Sequence, residues 1–149
     1  MAGKSGGERP LAESSAFRLT VLGTHLANDF AEHLRAAELT PKHLGMLTMV
    51  EQGFATTQDD VARLMRVSPS LVVRLADHLE QRGLIDRSRD PANRRRHIIS
   101  VTARGRSVLD EAGSYAATLD AWLAESLGPR LDRELAGALA RLMGRLTEG

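Results

Sequence analysis

Three helix-start signals crowd the middle of this chain, and they limit what it can fold into. Thr40-Pro41, Thr57-x-x-Asp60 and Ser68-Pro69 each place a hydroxyl where it can accept from the free amides of a first helical turn. In two of them a proline follows, at the position where its missing N–H costs nothing. The middle signal is a weaker capping box, with Asp in place of the usual Glu or Gln. Stops come near Gly53 and Gly83. The first short helix has Leu44, Leu47, Met49 and Val50 on its apolar side, and the second has Val61, Leu64 and Met65. The third carries Leu71, Val72, Leu75 and Leu79. Residues 57–83 therefore read as helix, short turn, helix, joined through Val67, in the manner of a helix-turn-helix unit.

The chain after that unit is strand-like. Leu84-Ile85 and His97-Ile98-Ile99-Ser100-Val101 flank the segment DRSRDPANRRR, which holds an Asp-Pro turn signal and five arginines. This predicts a hairpin with a long basic tip. The second strand alternates only in part, so its register stays open.

Longer helices are expected at both ends. One begins near Ala16, with Phe17, Val21, Leu22, Leu26, Phe30 and Leu34 on one face. Another begins after Thr102, with Val108, Leu109, Ala112, Ala116, Leu119 and Leu123 along its stripe. Gly128-Pro129 breaks it, and Leu131, Leu135, Leu139, Leu142 and Leu146 mark a last helix near 130–147. These stripes exceed what a small helix-and-hairpin core can cover. Left bare they form a long hydrophobic patch, so pairing of two chains through the terminal helices is expected. The expected organisation is a flexible tail at 1–15, helical dimerisation segments at 16–38 and 103–147, and a helix-turn-helix and hairpin region at 39–102.

With 149 residues, the chain has room for one domain with helical extensions. The absence of cysteine rules out disulfides, thiolate chemistry and cysteine-held metals, and it suits a reducing cytoplasm. No apolar run reaches the roughly 18 residues of a spanning helix, so no membrane partner is expected. The net charge of +1 conceals a division. Residues 63–106 hold eleven Arg against four acids, a balance of +7, while the remainder holds nine Lys and Arg against fifteen Asp and Glu, a balance of −6. A basic centre within an acidic scaffold is the electrostatic footprint of a nucleic-acid surface.

The residue types of that centre point to double-stranded DNA. The major groove admits one helix and exposes base edges to its N-terminal turns. With Leu71, Val72, Leu75 and Leu79 facing inward, Ser68, Ser70, Val73, Arg74 and Asp77 are left on the open side. The serines suit phosphate or base edges, Val73 a thymine methyl, and Arg74 either guanine or phosphate. Asp77 is expected to orient an arginine or face solvent rather than touch phosphate. In the hairpin, Arg94 is the preferred tip residue for a narrow minor groove. Arg95 or Arg96 either joins it or pairs with Asp90 or Asp86. Arg87 and Arg89 are candidates for phosphates, as are Arg63 and Arg66 at the preceding helix and turn. The basic stretch lacks the aromatic stacking residues that single-stranded RNA readers use.

In its order of elements the chain resembles the MarR family of transcription regulators. The resemblance spans roughly 16–147 and is carried by LTPKHLGML at 39–47, TTQDDVARLMRVSPSLVVRLADHLEQRGLIDR at 56–87 and DPANRRRHIISVTARG at 90–105. Its most specific parts are the stretch from Arg74 through Leu79-Glu80 to Arg82-Gly83-Leu84, the wing motif Asp90-Pro91-x-Asn93-Arg94-Arg95, and Thr102-x-x-Gly105. The resemblance implies a mainly α fold with a small β wing, a winged helix-turn-helix flanked by N- and C-terminal dimerisation helices. It also implies a homodimer on a palindromic operator, acting most often as a repressor. Ser68–Arg74 then falls in the recognition-helix turn and Arg94 at the wing tip. Asn93 departs from the Asp usual in the wing motif, which turns a salt bridge into a neutral hydrogen bond or removes it. Val73 stands where Thr or Ser is common.

The resemblance further implies an effector, a small aromatic acid, phenol or related compound, in a cleft between the DNA-binding lobe and the dimer helices. His25, Asn28, Asp29 and His33 are the matching ligand-binding candidates, set against an ordinary polar helix face. His25, Asp29 and His33 recur every fourth residue, a spacing some metal sites use, but three ligands over two turns make a strained set, and neither metal nor cofactor is expected. Catalysis is not expected either. Serine has no nucleophile-elbow context, there is no glycine-rich phosphate loop, and neighbouring Asp59 and Asp60 diverge on a helix. His43 and His78 lie near the reading helices without a nucleophile to serve.

Overall fold

The computed structural model describes residues 10–147, in which helices dominate and one small sheet is formed. The order is α1 (Ser15–Leu34), α2 (Pro41–Glu51), α3 (Gln58–Met65), α4 (Pro69–Gln81), β1 (Ile85–Arg89), β2 (His97–Val101) and α5 (Ala103–Thr147). Two compact units divide between Pro41 and Lys42.

The first unit is essentially α1. Ser14 caps it, accepting from the Phe17 amide at 3.4 Å. Most of the expected flexible tail at 1–15 falls outside the described residues, which begin at Pro10. Residues 1–9 lie outside the described structure, but Leu11–Glu13 form a 3-10 turn, and Arg18 Nε donates back to the Ala12 carbonyl at 2.8 Å. Phe17, Leu19, Val21 and Leu22 are all exposed along α1.

In the second unit, α2 to β2 surround a core of Met46, Leu47, Val61, Val72, Leu79 and Ile85. All three sequence-marked starts are helix starts. The buried face of α2 differs from the expected one: His43 and Met46 are buried, whereas Leu44 and Met49 are half-buried. The local apolar pattern is ambiguous there, and tertiary packing decides which side turns inward. Val61 and Ala62 are the buried positions of α3, with Leu64 and Met65 half-buried. α4 stops at Gly83, whose φ of +69° suits glycine, and the Leu84 amide reaches back to the Leu79 carbonyl at 2.9 Å.

β1 and β2 pair antiparallel, with Ile85 opposite Val101, Arg87 opposite Ile99 and Arg89 opposite His97. This fixes the open register: Ile85, Ile99 and Val101 face the core. The hairpin closes onto α5 through Thr102. Its hydroxyl donates to the Gly83 carbonyl at 2.6 Å and accepts from the Gly105 amide at 3.0 Å, and its own amide donates to the Leu84 carbonyl at 3.0 Å. Gly105 has no room for a side chain, since a Cβ there would meet the Leu84 carbonyl oxygen at 2.2 Å. The glycine of Thr102-x-x-Gly105 thus allows helix and strand backbones to approach closely.

α5 bends at Gly128, where φ is 75° and ψ is 160°, with Pro129 following. The break therefore falls where the sequence places it. Beyond it the leucine stripe is open: Leu131, Leu139, Leu142 and Leu146 are exposed, as is Met143.

Candidate nucleic-acid interface

The interface is built from the α3–α4 turn upward. Asp60 Oδ2 accepts from the Thr56 amide at 3.1 Å and the Thr57 amide at 3.0 Å, while Thr57 Oγ1 accepts from the Asp60 amide at 3.2 Å. The reciprocal box is thus complete with Asp in the third position. Burial alone raises the carboxyl of Asp60, but these hydrogen bonds outweigh it and hold the group below its ordinary value. The Ile99 amide donates to the Thr56 carbonyl at 2.9 Å, which ties β2 to the start of α3.

α3 ends with Arg66 in the left-handed region, φ 52° and ψ 47°. A side-chain-bearing residue there costs on the order of 1 kcal/mol or more. The Val67 amide closes the turn on the Ala62 carbonyl at 3.1 Å. Ser68 then caps α4, accepting from the Leu71 amide at 3.3 Å, and its oxygen lies 3.2 Å from that of Ser70. Ser68 therefore shapes the helix start, with its hydroxyl still at the surface. Ser70, Val73 and Arg74 are exposed beside it. All four predicted residues of the helix start come together on one open side.

The hairpin arginines divide. Arg87, expected at a phosphate, is engaged within the fold. Its Nη2 lies 2.6 Å from Asp77 Oδ1 and 2.5 Å from Glu80 Oε2. Its Nε donates to Glu80 at 3.1 Å and its Nη1 to Gln58 Oε1 at 3.2 Å. One guanidinium thus joins β1 to α4 and to the first residue of α3. The hydrogen bond to Glu80 holds Arg87 above its ordinary value, and the same bond holds Glu80 below its own. Asp77 is an arginine-orienting residue, in line with its place in the sequence. Sequence reasoning missed Glu80 and Gln58, which no local spacing connects to Arg87.

The tip is held by backbone and short side chains. Asp90 Oδ1 accepts from the Ala92 amide at 2.8 Å, and Asn93 Oδ1 accepts from the Arg95 amide at 3.1 Å. The Asp90 amide donates across the loop to the Arg96 carbonyl at 2.9 Å. Asn93 thus makes a neutral turn bond where a salt bridge is usual in the resembling family. Asp90 serves the turn rather than pairing with Arg95 or Arg96. Arg89, Arg94, Arg95 and Arg96 are exposed, and no ion pair among the described residues involves their guanidinium groups. Arg63 lies 3.6 Å from Asp60 with more than half its side chain exposed, and Arg66 is exposed at the turn. The head therefore presents cations from α3, the turn, α4 and the wing.

The other predicted constellation lies on α1. His25, Asn28, Asp29 and His33 are exposed along α1, and among the described residues no group of three His, Asp or Glu side chains is arranged to hold a metal. His43 and His78 instead form a ring pair with centroids 4.7 Å apart. Burial, and then the charge of His78, lower His43 to a pKa of about 4.

Residues 39–97 match the MarR family model. Over this helix-turn-helix and wing region the chain is similar to the MarR family. Over 147 residues, 98% of this chain and 80% of the relative, it is 29% identical to a protein of Thauera aromatica assigned to transcriptional regulation of the hcr operon. Its fold superposes on the transcriptional repressor CouR bound to a 23-mer DNA duplex, with a TM-score of 0.73, 28% identity and coverage of 95% of this chain and 99% of that one. CouR from Rhodococcus jostii RHA1 bound to p-coumaroyl-CoA matches with a TM-score of 0.70 and 25% identity, covering 91% and 96%. The MarR winged helix-turn-helix is thus the fold of this chain, and DNA-binding transcriptional regulation is its function. Among the described residues no helix is long and apolar enough to cross a membrane.

Proposed function

We propose that this MarR-family regulator is a cytoplasmic homodimeric repressor that grips a palindromic operator and is released by a small aromatic or phenolic effector. The observation that carries the reading is the division of the wing arginines. Arg87 locks the wing to α4, while Arg74, Arg89, Arg94, Arg95 and Arg96 stay uncompensated on the surface. A rigid head with unspent cations is suited to a polyanion whose grooves have fixed spacing. In this reading Ser68, Ser70, Val73 and Arg74 meet the major groove and Arg94 enters the minor groove. Arg63, Arg66, Arg89 and Arg95 meet phosphates.

The exposed stripes of α1 and α5 support the dimer, which supplies the second reading head. The CouR complexes with DNA and with p-coumaroyl-CoA support a repressor with an organic effector. No step in the reading is catalytic. A mobility-shift titration at physiological salt against the chain's own upstream intergenic DNA tests it. Binding at least about a thousandfold tighter than to random duplex is expected. Equal weak binding to both would sink the proposal.

A further inference from the structure

The basic surface of the reading head continues onto α5. A hollow of about 570 Å³ is lined by Arg63, Leu64, Met65 and Arg66 at the end of α3 and by Arg145 and Leu146 at the end of α5. A second hollow, of about 390 Å³, shares Arg145 and brings in Arg141, one helical turn earlier. No carboxylate lines either of them. Arg63, Arg66, Arg141 and Arg145 are all exposed. On the same two elements, Asp60 serves the cap of α3 and comes within 3.6 Å of Arg63, and Glu134 is paired with Arg130 at 3.0 Å. No ion pair among the described residues involves Arg66, Arg141 or Arg145.

We propose that the last turns of α5 are a DNA-backbone contact: Arg145, with Arg141 beside it, extends the phosphate-binding surface of Arg63 and Arg66 beyond the winged helix-turn-helix. The proposal rests on the reading that assigns Arg63 and Arg66 to operator phosphates. Guanidinium groups around hollows that hold no carboxylate repel one another, and a polyanion removes that repulsion. Arg141 and Arg145 stand about 6 Å apart along the helix axis. A duplex carries one phosphate charge for roughly every 1.7 Å of its own axis, so a single backbone segment can engage both. Leu64, Met65 and Leu146 give the arginine stems an apolar floor while the charged heads reach the phosphates. Because phosphates carry no sequence, the contact strengthens binding equally on an operator and on any other duplex. It sets overall grip and salt dependence and leaves base preference to α4 and the wing.

The test uses the full chain and two duplexes of equal length, its own upstream intergenic DNA and a random sequence, titrated between roughly 50 and 200 mM salt. Arg145→Ala should weaken binding to both by the same factor, about fivefold. The slope of log affinity against log salt should fall by roughly 0.9 for each copy of the residue on the DNA. Arg141→Ala combined with Arg145→Ala should about double the change in slope. Arg145→Lys should keep most of the slope, since a phosphate also accepts a point charge. Sedimentation should show the same species in every variant. An unchanged slope in the double variant overturns the proposal, as does a loss confined to the intergenic duplex. A shift to a smaller species in Arg141→Ala and Arg145→Ala alike also overturns it, because the arginines would then serve a second copy of the chain. Arg63→Ala and Arg66→Gly separate this contact from the head, and glycine suits the left-handed φ of 52° at position 66. If the head variants lower the slope and the α5 variants do not, the contact on α5 fails alone. If the head variants leave it unchanged too, the phosphate assignment of the head falls with it.

Discussion

The reading head and the long helix α5 are built from similar apolar side chains but treat them in opposite ways. In the head, Met46, Leu47, Val61, Val72, Leu79 and Ile85 are essentially inaccessible. In α5, Trp122, Leu131, Leu142, Met143 and Leu146 are each about half exposed or more. The head completes its core within one chain, whereas α5 leaves a stripe that a single chain does not cover. In the proposed dimer the difference separates two tasks: the head holds a DNA-reading geometry, and α5 supplies surface for a second copy.

The sharpest way to break this comparison is to charge the stripe. Leu139→Glu with Leu142→Glu should convert the dimer to a monomer in sedimentation velocity, while the head keeps its fold. Operator affinity should fall at least about 100-fold, because two linked heads gain that much over one. A charged variant that stays dimeric with full affinity would remove the stripe from the interface. The same result would leave the exposed face of α5 without an assigned role.

The other half of the comparison is tested by pH. His43 is buried in the head and has a pKa of about 4, against 6.5 for the free side chain. Its folded state therefore prefers the neutral ring. Its contribution is fully present above pH 6.5 and is lost as pH falls towards 4, because the unfolded chain takes up the proton first. The window carries on the order of 3 kcal/mol. Urea midpoints should decline between pH 7 and pH 4.5, and His43→Gln should flatten that decline. An unchanged slope in the variant would assign the acid sensitivity elsewhere.

How much of this was legible in the sequence depends on how local each signal is. The caps at Thr57 and Ser68, the stop at Gly83 and the break at Gly128-Pro129 act within one turn of chain, and the structure places each where the sequence does. The chain's resemblance to MarR regulators likewise rests on contiguous motifs. The inward side of α2 was legible in part: Leu47 and Val50 are buried as expected, while His43 and Met46 join them through packing against neighbours distant in sequence. β1 was recognised only at Leu84-Ile85, since its later residues, Asp86 to Arg89, are polar and become strand through pairing with β2. The engagement of Arg87 was hidden for the same reason. Its partners Gln58, Asp77 and Glu80 lie 29, 10 and 7 residues away.

That engagement gives the finest test, within the head itself. Arg87 and Arg94 belong to one hairpin, yet Arg87 has a side-chain exposure of 21% and four hydrogen bonds, while Arg94 is open. Removing Arg87 leaves Asp77 and Glu80 as uncompensated carboxylates on α4 and frees the wing from that helix. Arg87→Ala should therefore lower both thermal stability and operator affinity, and added salt should recover part of the affinity by screening the two acids. Arg94→Ala should leave stability unchanged and cost about tenfold in affinity, mainly at A·T-rich minor-groove positions. Its salt slope should fall by about 1, the amount expected for one lost contact to the DNA backbone field. If both variants lose affinity equally with no change in stability, Arg87 is a direct contact rather than a positioning residue. If Arg94→Ala keeps full affinity and an unchanged footprint, the wing tip does not enter the groove, and the open arginines at 95 and 96 become the ones to exchange next.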